Sequence, residues 1–181
     1  MATTRRPRHG SLQFWPRVRA ARPYPRVRNQ IVPQESKLAG FAGYKAGMTH
    51  LMVVDNRPDA MTKGEVIAIP VTIIECPPIK VASIRLYSGS SNGLKLSKEI
   101  LGKVDKHLGR KIVAAKKEAV NVAADLSNVV DVRVNVYTQP WLSAVGKSRP
   151  ELFELSVGGK SIPERFAFAL QLLGKEVAVK D

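Results

Sequence analysis

The first 34 residues limit what the rest of the chain can be. They hold eight arginines (Arg5, Arg6, Arg8, Arg17, Arg19, Arg22, Arg26 and Arg28) and five prolines (Pro7, Pro16, Pro23, Pro25 and Pro33), with no lysine and no acidic residue. Proline fixes φ and removes an amide donor, so neither a long helix nor a central strand can run through this segment. It cannot bury a core, and it is expected to be extended, and disordered when alone. It carries +8 of the formal net charge of +14, and the other 147 residues carry +6. A charge that large pushes a compact chain apart unless a polyanion neutralises it. Nucleic acid is the first candidate and an anionic membrane surface the second.

The choice of base discriminates between them. A guanidinium binds phosphate bidentately and stacks on bases, which an ammonium does poorly. Phe14, Trp15 and Tyr24 are interleaved with the arginines. Arginine with aromatic residues on an extended strand suits folded RNA, whose splayed bases offer faces for stacking. A membrane fits worse, because no amphipathic helical period runs through the prolines. No run approaches the roughly 18 apolar residues of a membrane span. The first thirty residues also lack the apolar stretch of a signal peptide. A lone cysteine, Cys76, builds neither a disulfide framework nor a zinc site. Its apolar surroundings, Val71 to Cys76, predict a small buried thiol, and the composition suits a reducing cytosol.

From Leu38 the pattern changes. Leu38 to Tyr44 is apolar and glycine-rich, Lys45-Ala-Gly47 reads as a turn, and Met48 to Asp55 as a second strand of a hairpin. Asn56-Arg-Pro-Asp59 is turn chemistry. Glu65 to Cys76 is a β-branched stretch interrupted by Pro70, which requires an edge, a bulge or a barrel corner. Lys80 to Tyr87 is another strand, with Ile84 and Leu86 on one face. Several strands joined by short turns suggest a small barrel or sandwich.

After the polar loop Ser88–Gly93, Ser97 to Leu108 shows helical spacing at Ile100, Leu101, Val104 and Leu108. Lys111 to Leu126 reads as a second helix. Asp131 to Tyr137 alternates, with Val132, Val134 and Val136 on one face and Arg133 and Asn135 on the other. Leu152 to Val157 alternates too, with Phe153, Leu155 and Val157 together. Ser161-Ile-Pro-Glu164 matches a capping box. The helix it opens buries Phe166, Ala169, Leu170 and Leu173, and Gly174 closes it. The expected organisation is a tail over 1–37, the first part of a β-barrel over 38–87, an inserted α+β domain over 88–175, and a return toward the barrel over 176–181. The strands are too few to close a barrel alone. A second chain or a missing C-terminal half is expected to complete it.

Enzyme chemistry finds no support. Gly159-Lys160-Ser161 ends like a phosphate loop, but Glu154 stands where that motif needs glycine. Gly146-Lys147-Ser148 fails likewise, with Trp141 in that place. His9, His50 and His107 are scattered, and none stands at zinc spacing from Cys76. Glu99, Asp105 and Glu118 read as solvated carboxylates rather than an acid/base pair. Gly40, Gly43 and Gly47 precede a strand, so a dinucleotide loop is excluded. Their better use is close backbone approach, across a tight hairpin or to an RNA backbone, with Lys45 as a phosphate contact. No catalytic residue, cofactor, metal or small-molecule substrate is assigned.

Particular strings carry a resemblance. Arg8-His-Gly-Ser-Leu-Gln-Phe-Trp-Pro-Arg17 resembles the N-terminal signature of the archaeal and eukaryotic ribosomal protein L-three family. Gly40-Phe-Ala-Gly-Tyr-Lys-Ala-Gly-Met-Thr-His50 resembles its most specific motif. Pro70-Val-Thr-Ile-Ile-Glu-Cys-Pro-Pro78 is similar to its next barrel strands, and Val157-Gly-Gly-Lys-Ser161 to the entry of a later helix. The resemblance implies a translation-protein-type barrel with an α+β insert, binding to large-subunit ribosomal RNA, an early role in subunit assembly, neighbouring ribosomal proteins as partners, and a cytoplasmic ribosome. It implies that Arg8, Ser11, Trp15, Arg17 and Arg19 lie in an RNA-bound tail. It places Phe41, Gly43, Tyr44, Lys45, Gly47, Thr49 and His50 in the first barrel hairpin. With the other tail residues, Arg5, Arg6, Arg22, Tyr24, Arg26 and Arg28, these give the expected RNA-binding set, in which the arginines and Lys45 meet phosphate and Trp15 and Tyr24 stack. Family members of this type are longer, and the loop that approaches the peptidyl transferase centre belongs to the half beyond residue 181.

Overall fold

The computed structural model describes residues 10, 22–25, 27, 32–113 and 125–180. The chain forms two units, Met1–Gln30 and Ile31–Asp181, and every strand and helix named below belongs to the second.

Strands β1 (Tyr44–Val54) and β2 (Val66–Glu75) pair antiparallel as a two-stranded sheet. The loop between them is organised by Asp55. Its buried carboxylate accepts hydrogen bonds from the Arg57 amide at 3.1 Å, Arg57 Nε at 3.0 Å, Arg57 Nη2 at 2.8 Å and the Thr62 hydroxyl at 2.6 Å. The turn chemistry read at Asn56–Asp59 therefore lies where the chain reverses. The turn expected at Lys45–Gly47 does not form. β1 runs through these residues and absorbs Ala46 as a bulge, so that Lys45 faces Ile74 and Gly47 faces Ile73. Glycine marks an irregularity inside a strand here, not its end. The described residues just before Tyr44 form no named strand; Leu38 bridges Val157, and the Ala39 amide donates to the Ser156 carbonyl at 3.0 Å. Pro70 is tolerated within β2 because a two-stranded sheet leaves an outer edge on which no amide is needed.

β3 (Ile79–Ser90) follows across Pro77-Pro78 and is the hub of a five-stranded sheet. β4 (Gly93–Leu101) and β5 (Val129–Tyr137) pair antiparallel on its two edges, and β6 (Leu152–Ser156) pairs with β5. Lys80 faces both Tyr137 of β5 and Glu176 of the short β7 (Glu176–Val177), so β7 shares the edge used by β4. The helix expected over Ser97–Leu108 is not present. Leu94, Leu96 and Ile100 lie on β4 around a bulge at Ser97, and the pairing with β3 overrides the helical spacing. Leu108 falls instead in a one-turn 3-10 segment, Leu108–Arg110. The second expected helix falls largely on 114–124, outside the described residues.

One face of this sheet is the core. Ile84, Val132, Val134, Val136 and Val157 are fully buried there. Burying such a side chain stabilises by about 1.5–3 kcal/mol. Helix α1 (Ile162–Leu172) covers the face with Phe166 and Ala169, and Leu170 and Leu173 pack beside them. Pro163 sits in its first turn, where a missing amide does no harm. Glu164 accepts the Lys160 amide at 3.1 Å and the Ser36 hydroxyl at 3.0 Å, whereas the Ser161 hydroxyl makes no capping bond. Gly174 ends the helix at φ +74, as its glycine predicts.

The opposite face carries charge, and of the carboxylates read as solvated, Glu99 and Asp105 are engaged, while Glu118 lies outside the described residues. Glu99 accepts from the Ser83 hydroxyl at 2.5 Å and Asn135 Nδ2 at 3.0 Å, and pairs with Arg85 at 3.3 Å. Asp105 accepts from Lys80 at 2.5 Å and the Tyr137 hydroxyl at 2.7 Å. Cys76 is exposed rather than buried. The apolar run that suggested burial belongs to β2, whose neighbouring residues Ile73 and Ile74 are themselves uncovered.

Candidate RNA interface

Of the expected tail contacts, Arg22 and Tyr24 are described. The Arg22 guanidinium lies 5.9 Å from the Tyr24 ring centroid, within cation–π reach. Arg5, Arg6, Arg8, Ser11, Trp15, Arg17, Arg19, Arg26 and Arg28 lie outside the described residues.

The two expected hairpin contacts are brought together by the bulge. Lys45, Met48 and His50 face Ile74, Thr72 and Pro70, alternate residues of β2. Directly opposed residues share a sheet face, so all three point to one side. Five positions apart on a regular strand, Lys45 and His50 would point to opposite sides. Both are exposed, and Lys45 makes no ion pair among the described residues. The other side of the hairpin is aliphatic: Leu51 faces Ile69, Val53 faces Ile67, Thr49 faces Val71, and Gly47 faces Ile73. Leu51, Val53, Ile69 and Ile73 are all exposed. The hairpin thus has one mixed face bearing a cation and an imidazole, and one apolar face with nothing packed on it among the described residues.

The glycines of this hairpin are not equivalent. A Cβ on Gly43 would meet Ile74 Cγ2 at 2.5 Å, Cys76 Sγ at 2.7 Å and the Glu75 carbonyl oxygen at 2.8 Å. Packing alone demands glycine there. A Cβ on Gly47 would meet nothing within 4 Å, and Gly47 is not among the residues with positive φ. Among the described residues, neither sterics nor backbone conformation requires that glycine.

Charge on the polar face of the larger sheet is largely neutralised internally. On the polar sheet face, Glu154 accepts from Arg85 at 3.1 Å, Arg133 at 3.2 Å and the Tyr87 hydroxyl at 3.0 Å. Arg133 Nε donates to Asp131 at 2.7 Å, and its guanidinium lies 4.8 Å above the Tyr87 ring. Such a face has little charge left for a polyanion. Two bonds from the Arg57 side chain, with the Thr62 hydroxyl, hold the Asp55 carboxyl well below the usual carboxylate range. Among the described residues no group of His, Cys, Asp and Glu could hold a metal ion, and no helix is long and apolar enough to cross a membrane. The bulge that gathers Lys45 and His50 was not foreseen from the sequence. Its signal was Gly47, read as a turn.

These features define a strongly basic, mostly-β protein whose net charge is concentrated in its first 34 residues. The family described as Ribosomal protein L3 matches residues 1–181, and the chain belongs to that family. It is 43% identical to the large ribosomal subunit protein uL3 of Methanothermobacter thermautotrophicus, covering 100% of this chain and 56% of that protein. It is 39% identical to uL3 of Methanopyrus kandleri (97% and 51%) and 41% identical to uL3 of Methanococcus vannielii (97% and 54%). The chain spans about half the length of the curated relatives it matches.

Proposed function

We propose that the chain is the N-terminal part of a structural, non-enzymatic component of the large ribosomal subunit in the cytoplasm, which binds large-subunit ribosomal RNA and supports assembly. The family match over residues 1–181 carries this reading. The tail, residues 1–37, wraps RNA through Arg5, Arg6, Arg8, Arg17, Arg19, Arg22, Arg26 and Arg28, with Ser11 hydrogen-bonding and Trp15 and Tyr24 stacking. The mixed face of the hairpin adds Lys45 and His50. Gly47, which nothing among the described residues requires, leaves room for an RNA backbone. The apolar hairpin face belongs to a barrel begun by residues 38–87, completed by a second chain or C-terminal half, and interrupted by the α+β part over 88–175, with β3 shared between the two. The uncovered Leu51, Val53, Ile69 and Ile73 support this, as does the span of about half its relatives' length. Neighbouring ribosomal proteins are the remaining partners.

The test is binding to deproteinised large-subunit ribosomal RNA at several salt concentrations. Neutralising about eight phosphates gives a log–log slope of roughly −6 to −7. Absence of binding, or a flat slope, removes the reading.

A further inference from the structure

Beyond residue 34 the net charge is unevenly placed. Two loops, 102–111 and 143–151, hold Lys103, Lys106, Arg110, Lys111, Lys147 and Arg149 against Asp105 and Glu151. Six bases against two acids make +4 of the +6 found outside the tail.

The sheet gathers these loops at one end. β4 and β5 both run antiparallel to β3, so their last residues meet near its start, where Leu101 faces Ser83 and Tyr137 faces Lys80. Leu108, fully buried, packs with Ala82 and Tyr137 and pins the first loop. Arg110 Nη1 donates to the Ser148 carbonyl at 3.2 Å, tying the first loop to the second. His107 stacks on Trp141, with ring centroids 3.8 Å apart and planes inclined by 19°.

Both carboxylates are already engaged. Asp105 holds Lys80, and Glu151 holds Lys111 and Lys147. Lys103, Lys106, Arg110 and Arg149 are exposed and have no acidic partner among the described residues. Arg110 ties their two loops together at Ser148, and His107 of the first loop covers one face of the half-buried Trp141 indole, which packs beside Leu108 and Tyr137. A bare polyanion would have no use for the indole, and an apolar partner would not call for four unpaired cations. An unpaired RNA base with its flanking phosphates uses both.

We infer that loops 102–111 and 143–151 form an RNA contact additional to the tail and hairpin. Lys103, Lys106, Arg110 and Arg149 take phosphates there, and Trp141 stacks on an unpaired base. The inference rests on the reading of the chain as an RNA-binding protein.

The chain has two tryptophans, so Trp15→Phe leaves Trp141 as the sole indole reporter. The 181-residue variant is titrated with deproteinised large-subunit ribosomal RNA from Methanothermobacter thermautotrophicus. Trp141 emission is expected to be quenched saturably. The triple variant K103A/K106A/R149A, checked for folding by circular dichroism, is expected to lose about 2 from the magnitude of the salt slope, at roughly 0.7 per contact. Unchanged emission at saturating RNA, or an unchanged slope, overturns the inference. So does equal quenching by polyglutamate, because charge alone would then account for the contact. If the unaltered chain binds RNA steeply and the triple variant matches it, only this inference falls. If the unaltered chain does not bind RNA, the proposed function falls with it.

Discussion

Tyr44 donates its phenolic hydrogen to Thr138 Oγ1 at 2.9 Å, across 94 residues of sequence. The same oxygen accepts the Glu151 amide at 3.0 Å. One hydroxyl thus joins the start of β1, the end of β5 and the approach to β6. Tyr44→Phe removes the donor and keeps the ring. It is expected to destabilise the chain by about 1 kcal/mol in urea denaturation. It should also speed amide exchange in β1 and β2 more than in β5. An unchanged urea midpoint would show that the contact contributes nothing.

Gly43 and Gly47 should respond oppositely to the same substitution. Gly43→Ala forces a methyl against the Glu75 carbonyl, which is backbone and cannot step aside. A loss of about 1–3 kcal/mol is expected, the usual range for overpacking. Gly47→Ala meets open space, and its stability should stay within about 0.5 kcal/mol of the parent, like a surface change. Its affinity for large-subunit RNA should nonetheless fall if RNA backbone approaches there. Equal RNA affinity in Gly47→Ala and the parent chain would count against Gly47 as a contact.

Ile84 is fully buried and Leu51 is exposed. Ile84→Ala should therefore cost about 2–5 kcal/mol in this chain. Leu51→Ala, on the apolar hairpin face, should cost far less in the chain alone. When the chain is co-purified with the C-terminal half of a relative, the same Leu51→Ala should weaken that complex. A complex indifferent to Leu51 would argue against barrel completion on that face.

Acid should act through Asp105. The Lys80 ammonium, and then the Tyr137 hydroxyl, lower its pKa below the ordinary carboxylate value. A carboxyl whose folded pKa is depressed stabilises the fold fully above its unfolded value of about 4, and loses that contribution as pH falls through the lowered folded value. Urea midpoints measured from pH 6 to pH 2 should thus fall less steeply for Asp105→Asn than for the parent. Parallel curves would remove Asp105 from the acid response.

Strong periodicity was legible wherever one face met a core. Val132, Val134 and Val136 are fully buried, as their alternation predicts, and α1 buries the stripe read from Phe166 and Ala169. Ser97–Leu108 was misread because Ile100, Leu101, Val104 and Leu108 fit a helix as well as a strand with one bulge. Only the partner strand β3, distant in space from any local signal, decides between them. Lys45–Gly47 failed for a related reason: glycine permits a turn and a bulge alike. The tail's chemistry was legible from arginine and proline counts, because charge needs no fold to be read. The shared face of Lys45 and His50 was not, since it depends on the one extra residue at Ala46.

The hairpin leads into the larger sheet through Pro77 and Pro78, and the chain entering it is bridged to that sheet at Leu38. Pro77 is buried, and the Pro78 carbonyl accepts Gln139 Nε2 at 3.0 Å. Two consecutive rings lock two φ angles at this junction. With Tyr44 held at Thr138 as well, the hairpin inherits its angle from β3 rather than choosing it. A surface that reaches both parts meets a fixed jaw. Its first contact sets the second at high effective concentration, and the two contacts act as a chelate rather than as separate weak grips.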